Sequence, residues 1–260
     1  AFACEWIDFY PRKGKVGGAF CANLPFIKQS RVLTNYDGEL GDIVTLAHEL
    51  GHAYHGMMIE DHRILNTDYS MPVAETASTF NENIIMNAAI TEENDPLQRL
   101  ILIEKQLQDL TQIICDIYSR YTFESNVFEK RKNSFMFAGE LCDMMRKAQQ
   151  EAYGEALDHN CLHPYMWINK SHYYSASLSF YNFPYAFGGL FARGLVARYE
   201  KEGEAFVDKY RAMLKATTVS HVEDVAAMVG IDLRQRSFWE ESLATCKVRI
   251  DEFLELTKEL

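Results

Sequence analysis

The stretch Thr45-Leu46-Ala47-His48-Glu49-Leu50-Gly51-His52-Ala53-Tyr54-His55 sets two histidines four residues apart, with a glutamate directly after the first. On an α-helix such residues lie about 40° apart around the axis and about 6 Å along it, so His48 and His52 can offer their imidazoles to one metal ion. Glu49 follows the first ligand, where its carboxylate can reach a water on that ion and take its proton. The same short pattern also occurs in proteins that hold no metal, so the surrounding residues have to decide.

Three features favour zinc. The segment from Asp42 to Met57 is good helix context, with Asp42 suited to an N-cap. Gly51 stands inside the helix, where it costs about 1 kcal/mol relative to alanine. A missing side chain there lets another backbone or a substrate come close. A catalytic zinc usually has three protein ligands and one open position. The run Pro72-Val73-Ala74-Glu75-Thr76-Ala77-Ser78-Thr79-Phe80-Asn81-Glu82 supplies the third, because Glu75 is set among small and apolar residues where an unpaired charge is costly. Glu82, seven residues on, shares the helix face of Glu75 and is the expected outer partner of a ligand histidine. The expected site is one zinc ion per chain on His48, His52 and Glu75. His55, one turn past His52, is a further expected outer partner. It does not complete the three-histidine pattern His-Glu-x-x-His-x-x-Gly-x-x-His, which needs Gly at 55 and His where Met58 stands.

His48-Glu49-Leu50-Gly51-His52-Ala53-Tyr54-His55, followed by Pro72-Val73-Ala74-Glu75 and Glu82, resembles the M3 family of metallopeptidases, nearest its oligoendopeptidase F branch. The resemblance extends to Gly14-Lys15-Val16-Gly17-Gly18-Ala19-Phe20 and to an aromatic stretch near position 180, and so covers essentially the whole chain. Members of that family are about twice this length. The resemblance therefore implies a C-terminal catalytic part, with a helical N-terminal half of the same polypeptide that closes the substrate channel as its missing partner. Ala1 in place of an initiator Met is in keeping with a fragment.

Composition agrees with a globular enzyme. With 260 residues, 48% hydrophobic and 13% aromatic, the chain can bury a substantial core and is not a disordered sequence. No apolar run reaches the ~18 residues of a membrane span, and no signal peptide stands at the start. A net charge of −11 speaks against nucleic acid as a partner. The six cysteines, at 4, 21, 115, 142, 161 and 246, form no Cys-x-x-Cys pair and read as reduced thiols of a cytoplasmic protein.

The pattern predicts a mostly α fold: a small β-sheet at about 16–36 beside the zinc-binding helix, zinc helices at about 42–92, then a helical remainder. The whole, 1–260, reads as a single catalytic domain. Residues 19–24 and 30–36 are the β-prone runs, separated by Pro25. The exposed edge of such a sheet can hydrogen-bond an extended peptide without reading its sequence, a role the family resemblance also implies; a hairpin that serves only the core is the competing reading. Apolar spacing predicts helices at about 97–120, 121–155, 203–216, 221–229 and 237–258, with Pro96 at a helix start. Phe123, Val127, Phe128, Phe135 and Phe137 supply aromatic bulk for a core or an interface.

Between His163 and Gly189 the sequence turns irregular and aromatic, with Pro184 and the pair Gly188-Gly189 breaking the helical pattern. In the resembled family a histidine followed by a Phe-Tyr-x-x-x-Tyr segment faces the metal and helps stabilise the reacting carbonyl. His172, Tyr181 and Tyr185 occupy those positions here, and the resemblance implies that they are catalytic. The reading is a helical metallopeptidase catalytic domain, a zinc-dependent endopeptidase acting on short peptides with Glu49 as general base. Two other classes compete: a non-catalytic zinc protein whose site is closed by a fourth ligand such as His55, and a helical interaction module in which the motif is accidental.

Overall fold

The computed structural model describes residues 1–259. They form two compact units, one made of Ala1–Gln106 with the described residues from Phe187 on, the other of Leu107–Ala186. The fold is mostly helical with one small sheet, as the pattern predicts.

In the first unit β2 (Phe20–Leu24) and β3 (Gln29–Leu33) form an antiparallel hairpin, Phe20 opposite Leu33 and Leu24 opposite Gln29. Pro25–Ile27 makes the single tight turn between them, closed by Lys28 at φ +50°. A third strand, β1 (Ile7–Asp8), pairs in parallel with β3, so the order is β1-β3-β2 and β2 is an edge strand. With two residues, β1 is too short for alternation to reveal it in the sequence. The sheet lies against α1 (Leu40–Ile59), the helix that carries the paired histidines. Asp42 does not cap this helix as expected. Glu39 takes the N-cap, and Asp42, in the third helical position, completes a reciprocal capping box; its Oδ2 accepts from the amides of Asp37, Gly38 and Glu39 at 3.0, 3.1 and 3.0 Å.

After a loop come the one-turn helix α2 (Met71–Ala74) and α3 (Thr76–Glu92), with Glu75 at the junction between them. α3 packs along α1 and sends Ala77 and Phe80 into the main core, where Phe191, Leu195, Phe206, Met213 and Leu214 are fully buried. Each such large apolar side chain contributes about 1.5–3 kcal/mol on burial. The core residues that follow Phe187 come from α7 (Phe183–Glu202), α8 (Glu204–Ala216), α9 (Val222–Ala227) and α10 (Arg236–Glu259), with Val229 and Ile231 added from the segment between α9 and α10, and the last three helices start and stop close to the expected bounds.

Further expectations change. Pro184 and Gly188-Gly189 do not break a helix: Pro184 lies in the first turn of α7, where its missing N–H costs nothing, and both glycines are helical. The predicted helices at 97–120 and 121–155 are α4 (Pro96–Thr111), a π-helical turn at Gln112–Asp116, α5 (Ile117–Arg131) and α6 (Ala138–Tyr153). α5 and α6 pack in the second unit around Phe123, Met145 and Ala148. Phe135 and Phe137, expected to add bulk to a core or interface, lie exposed beside the break between α5 and α6.

Candidate active site

His48 and His52 project from the same face of α1, and Glu75 meets them from the α2–α3 junction. His48 Nε2 and His52 Nε2 are 3.1 Å apart, and Glu75 Oε2 stands 3.3 Å from the first and 3.4 Å from the second. Tetrahedral zinc with bonds of about 2.0–2.1 Å separates its ligand atoms by about 3.3 Å. The three donors therefore fit one such ion, in both type and spacing.

Backbone contact between the two helices makes the convergence possible. A Cβ on Gly51 would meet Ala77 O at 2.5 Å and Ser78 Cα at 2.6 Å, so only glycine lets α3 come this close to α1. Gly188 on α7 does the same beside Glu75, where an added Cβ would stand 3.0 Å from the glutamate's own. Hydrogen bonds then orient the donors. Glu82 Oε1 lies 2.7 Å from His48 Nδ1, which assigns the proton to Nδ1 and leaves the Nε2 lone pair directed at the other two donors. Ser78 Oγ donates to Glu75 Oε2 at 2.9 Å, Asn81 Nδ2 donates to the Ala47 carbonyl at 3.3 Å, and Asn23 Nδ2 on β2 donates to the His52 carbonyl at 3.3 Å.

Electrostatics follow from this crowding. Burial works to raise the Glu75 carboxyl, but hydrogen bonding and charge from His52 and His48 and the Ser78 hydroxyl outweigh it, and its pKa falls below the usual value. Burial opposes the charged form of His48 as well; its hydrogen bond to Glu82 and the nearby carboxylates prevail and raise its pKa. Glu49, 6% exposed, is pushed upward by burial, which makes its carboxylate a stronger base than one in water.

The remaining expected residues fall into two groups. His55 does not serve the ligands by hydrogen bonding: its Nε2 lies 2.8 Å from Thr217 Oγ1 just past α8, and its ring stacks on Tyr69 at 4.2 Å. Fully buried, it is held down to a pKa of about 4, chiefly by desolvation. His172, Tyr181 and Tyr185 belong to the second unit and come together there. The hydroxyls of Tyr181 and Tyr185 are 2.9 Å apart, and the His172 ring centroid is 5.7 Å from that of Tyr181. Burial, then the charges of Arg120 and Lys170, lower the pKa of His172 and favour its neutral form. Ser78, Asn81 and Asn23 escape a reading of the sequence. Ser78 alone left a signal, a hydroxyl three residues past the proposed ligand, and the other two act on backbone carbonyls that only the fold brings near.

Residues 1–245 match the profile of Peptidase family M3. The chain is 26% identical over 260 residues to the chromosomal oligoendopeptidase F of Lactococcus lactis subsp. cremoris, an alignment that takes in 99% of this chain and 42% of that protein. A solved structure from Chlamydophila abortus superposes with a TM-score of 0.84 at 22% identity, over 96% of this chain and 42% of that one. The crystal structure of oligoendopeptidase-F from Enterococcus faecium gives a TM-score of 0.72 at 25% identity, over 85% of this chain and 40% of its own. The chain spans about two-fifths of the length of these relatives. With the family's profile matched along nearly all its length and the fold shared with solved relatives, the chain belongs to peptidase family M3, as part of the oligoendopeptidase F kind.

Proposed function

We propose that this chain is the catalytic part of a zinc-dependent endopeptidase that hydrolyses short oligopeptides. The observation that carries the reading is the triangle of His48 Nε2, His52 Nε2 and Glu75 Oε2, with edges of 3.1, 3.3 and 3.4 Å and a buried carboxylate, Glu49, directly after the first ligand. A zinc ion on these three residues would supply a Lewis acid and bring the pKa of a water toward neutrality. Glu49 takes the proton of the attacking water and delivers it to the leaving amine. Its burial supports that role, because a base raised above the ordinary carboxylate range accepts a proton more readily. Glu82 holds the His48 ring in the tautomer that keeps Nε2 free for the ion. Tyr181 and Tyr185 we assign, on the family resemblance and on their shared contact, as donors to the tetrahedral oxyanion, with neutral His172 beside them. The outer edge of β2 would hold the peptide backbone in extended form.

A closed, non-catalytic zinc site is less well supported, since His55, the fourth ligand that reading calls on, is committed to Thr217 and Tyr69. The remainder of the longer polypeptide would close the substrate channel, and the whole would work in the cytoplasm. No helix among the described residues is long and apolar enough to cross a membrane. The test is Glu49→Gln, nearly isosteric but a far poorer base. Zinc content should stay stoichiometric while peptide hydrolysis falls by several orders of magnitude. Undiminished hydrolysis by the zinc-loaded variant would remove Glu49 as the base.

A further inference from the structure

The second unit contains a buried charged ridge that the reaction described above does not use. Asp116, Arg120 and Glu124 recur every fourth residue, so they share one face of α5 and the turn before it. Asp116 and Glu124 are 8% and 7% exposed, and charges this deep are costly unless matched. Their partners include the segment that leads into α7. Arg120 pairs with Asp116 through one terminal nitrogen and donates to Asn182 Oδ1 through the other. Glu124 Oε1 accepts from the amide of Phe180 at 2.8 Å. Tyr173 donates its hydroxyl to the Arg120 carbonyl at 3.4 Å. Phe180 itself is left-handed, φ +57°, a conformation that costs a non-glycine residue about 1 kcal/mol or more. Residues 180 and 182 are thus both tied to α5, and Tyr181 lies between them.

We propose that Asp116, Arg120 and Glu124 are positioning residues, which act through Phe180 and Asn182 to aim the Tyr181–Tyr185 hydroxyl pair. The proposal rests on the oxyanion role assigned to those tyrosines above. Tyr181 precedes the first turn of α7 and lies outside any regular helix; its amide donates to the Leu178 carbonyl at 3.2 Å, and no helical ladder adds to that single bond. An oxyanion donor has to be held to within about 0.5 Å, and a clamp on each side of the residue supplies that constraint. The π turn at Gln112–Asp116 contributes as well: its extra residue rotates the helix that follows by about 100°, and so determines which face of α5 carries the ridge.

The experiment is a double-mutant cycle on the intact, zinc-loaded protein, with a short internally quenched peptide as substrate. Arg120→Lys keeps the charge but cannot serve Asp116 and Asn182 together. Asn182→Ala keeps the Arg120–Asp116 pair and removes only its link to the aromatic segment, so it stands in if Arg120→Lys does not fold. Either should lower kcat about 10- to 100-fold, with KM, zinc content and melting temperature little changed. In a Tyr181→Phe/Tyr185→Phe background the same substitution should have almost no further effect, because the groups it aims are gone. An equal loss of kcat in both backgrounds overturns the positioning role and leaves the tyrosine assignment standing. An unchanged kcat in both single variants overturns it likewise. A Tyr181→Phe/Tyr185→Phe protein that turns over normally overturns both the assignment and the proposal.

Discussion

Alanine at position 51 sets two physical effects against each other. By helix propensity alone Gly51→Ala should stabilise α1 by about 1 kcal/mol. The fold makes the opposite demand, because the new Cβ would stand 2.5 Å from the Ala77 carbonyl oxygen, 2.6 Å from Ser78 Cα and 2.8 Å from Ala77 C. All three are main-chain atoms and cannot rotate away. Ordinary contact distances begin near 3.4 Å, so α3 must retreat by about 0.8 Å, an overpacking strain of about 1–3 kcal/mol. The strain should win, leaving the protein less stable by up to about 2 kcal/mol. Because Glu75 sits at the start of α3, the retreat should also stretch its 3.3 and 3.4 Å separations from the histidines, against a tolerance of about 0.2 Å in a zinc bond. We expect zinc affinity to fall about 10- to 100-fold, as when an outer support is removed. Urea melts and zinc titration against a chromophoric chelator would read the two effects separately. A variant more stable than wild type, with zinc affinity unaltered, would refute the close-approach argument.

Three further outcomes are expected. Glu75→Ala should abolish stoichiometric zinc while leaving the helix content by circular dichroism intact; full occupancy would return the third-ligand role to Glu82. His55 is buried in neutral form with a pKa of about 4 against an ordinary 6.5, so the unfolded chain takes up its proton first as pH falls. Stability is therefore complete above 6.5 and is lost toward pH 4, by about 2 kcal/mol at pH 5 from this residue. Denaturant melts at pH 7 and pH 5 should show that drop in wild type and not in His55→Gln. Tyr181→Phe should reduce kcat about 10²–10³-fold at unchanged KM if its hydroxyl meets the oxyanion; lowered stability with normal turnover would make it a packing residue.

The paired histidines were legible because their chemistry is local: a four-residue spacing on a helix brings two side chains together whatever the rest of the chain does. Glu75 was legible as a charge among small apolar neighbours, and Gly51 as a glycine where a helix would prefer alanine. Pro184 and Gly188 misled for a related reason. Each discourages a helix interior, but one stands in a first turn and the other makes room for Glu75, and neither circumstance is written in the neighbouring residues. The π turn left no mark, since one extra residue hardly disturbs an apolar period over so short a span. Asn23 and Asn81 reach carbonyls 29 and 34 residues away, and His55 a hydroxyl 162 residues away. Partnerships at that range exist only once the helices have packed.

The first unit is discontinuous along the chain, interrupted by Leu107–Ala186. A ribosome therefore completes the ligand helices long before it makes Phe191, Leu195, Phe206, Met213 and Leu214, the residues against which Ala77 and Phe80 pack. Until those arrive, α1 and α3 have each other and the sheet but no floor beneath them, and such long-range closure is slow and leaves apolar surface exposed in the meantime. The second unit, encoded without interruption, has its own small core to assemble while the first one waits. Loss of α8 or α10 would therefore disable an apparatus encoded well before them in the chain, through the wall it leans on rather than through any group that touches a substrate.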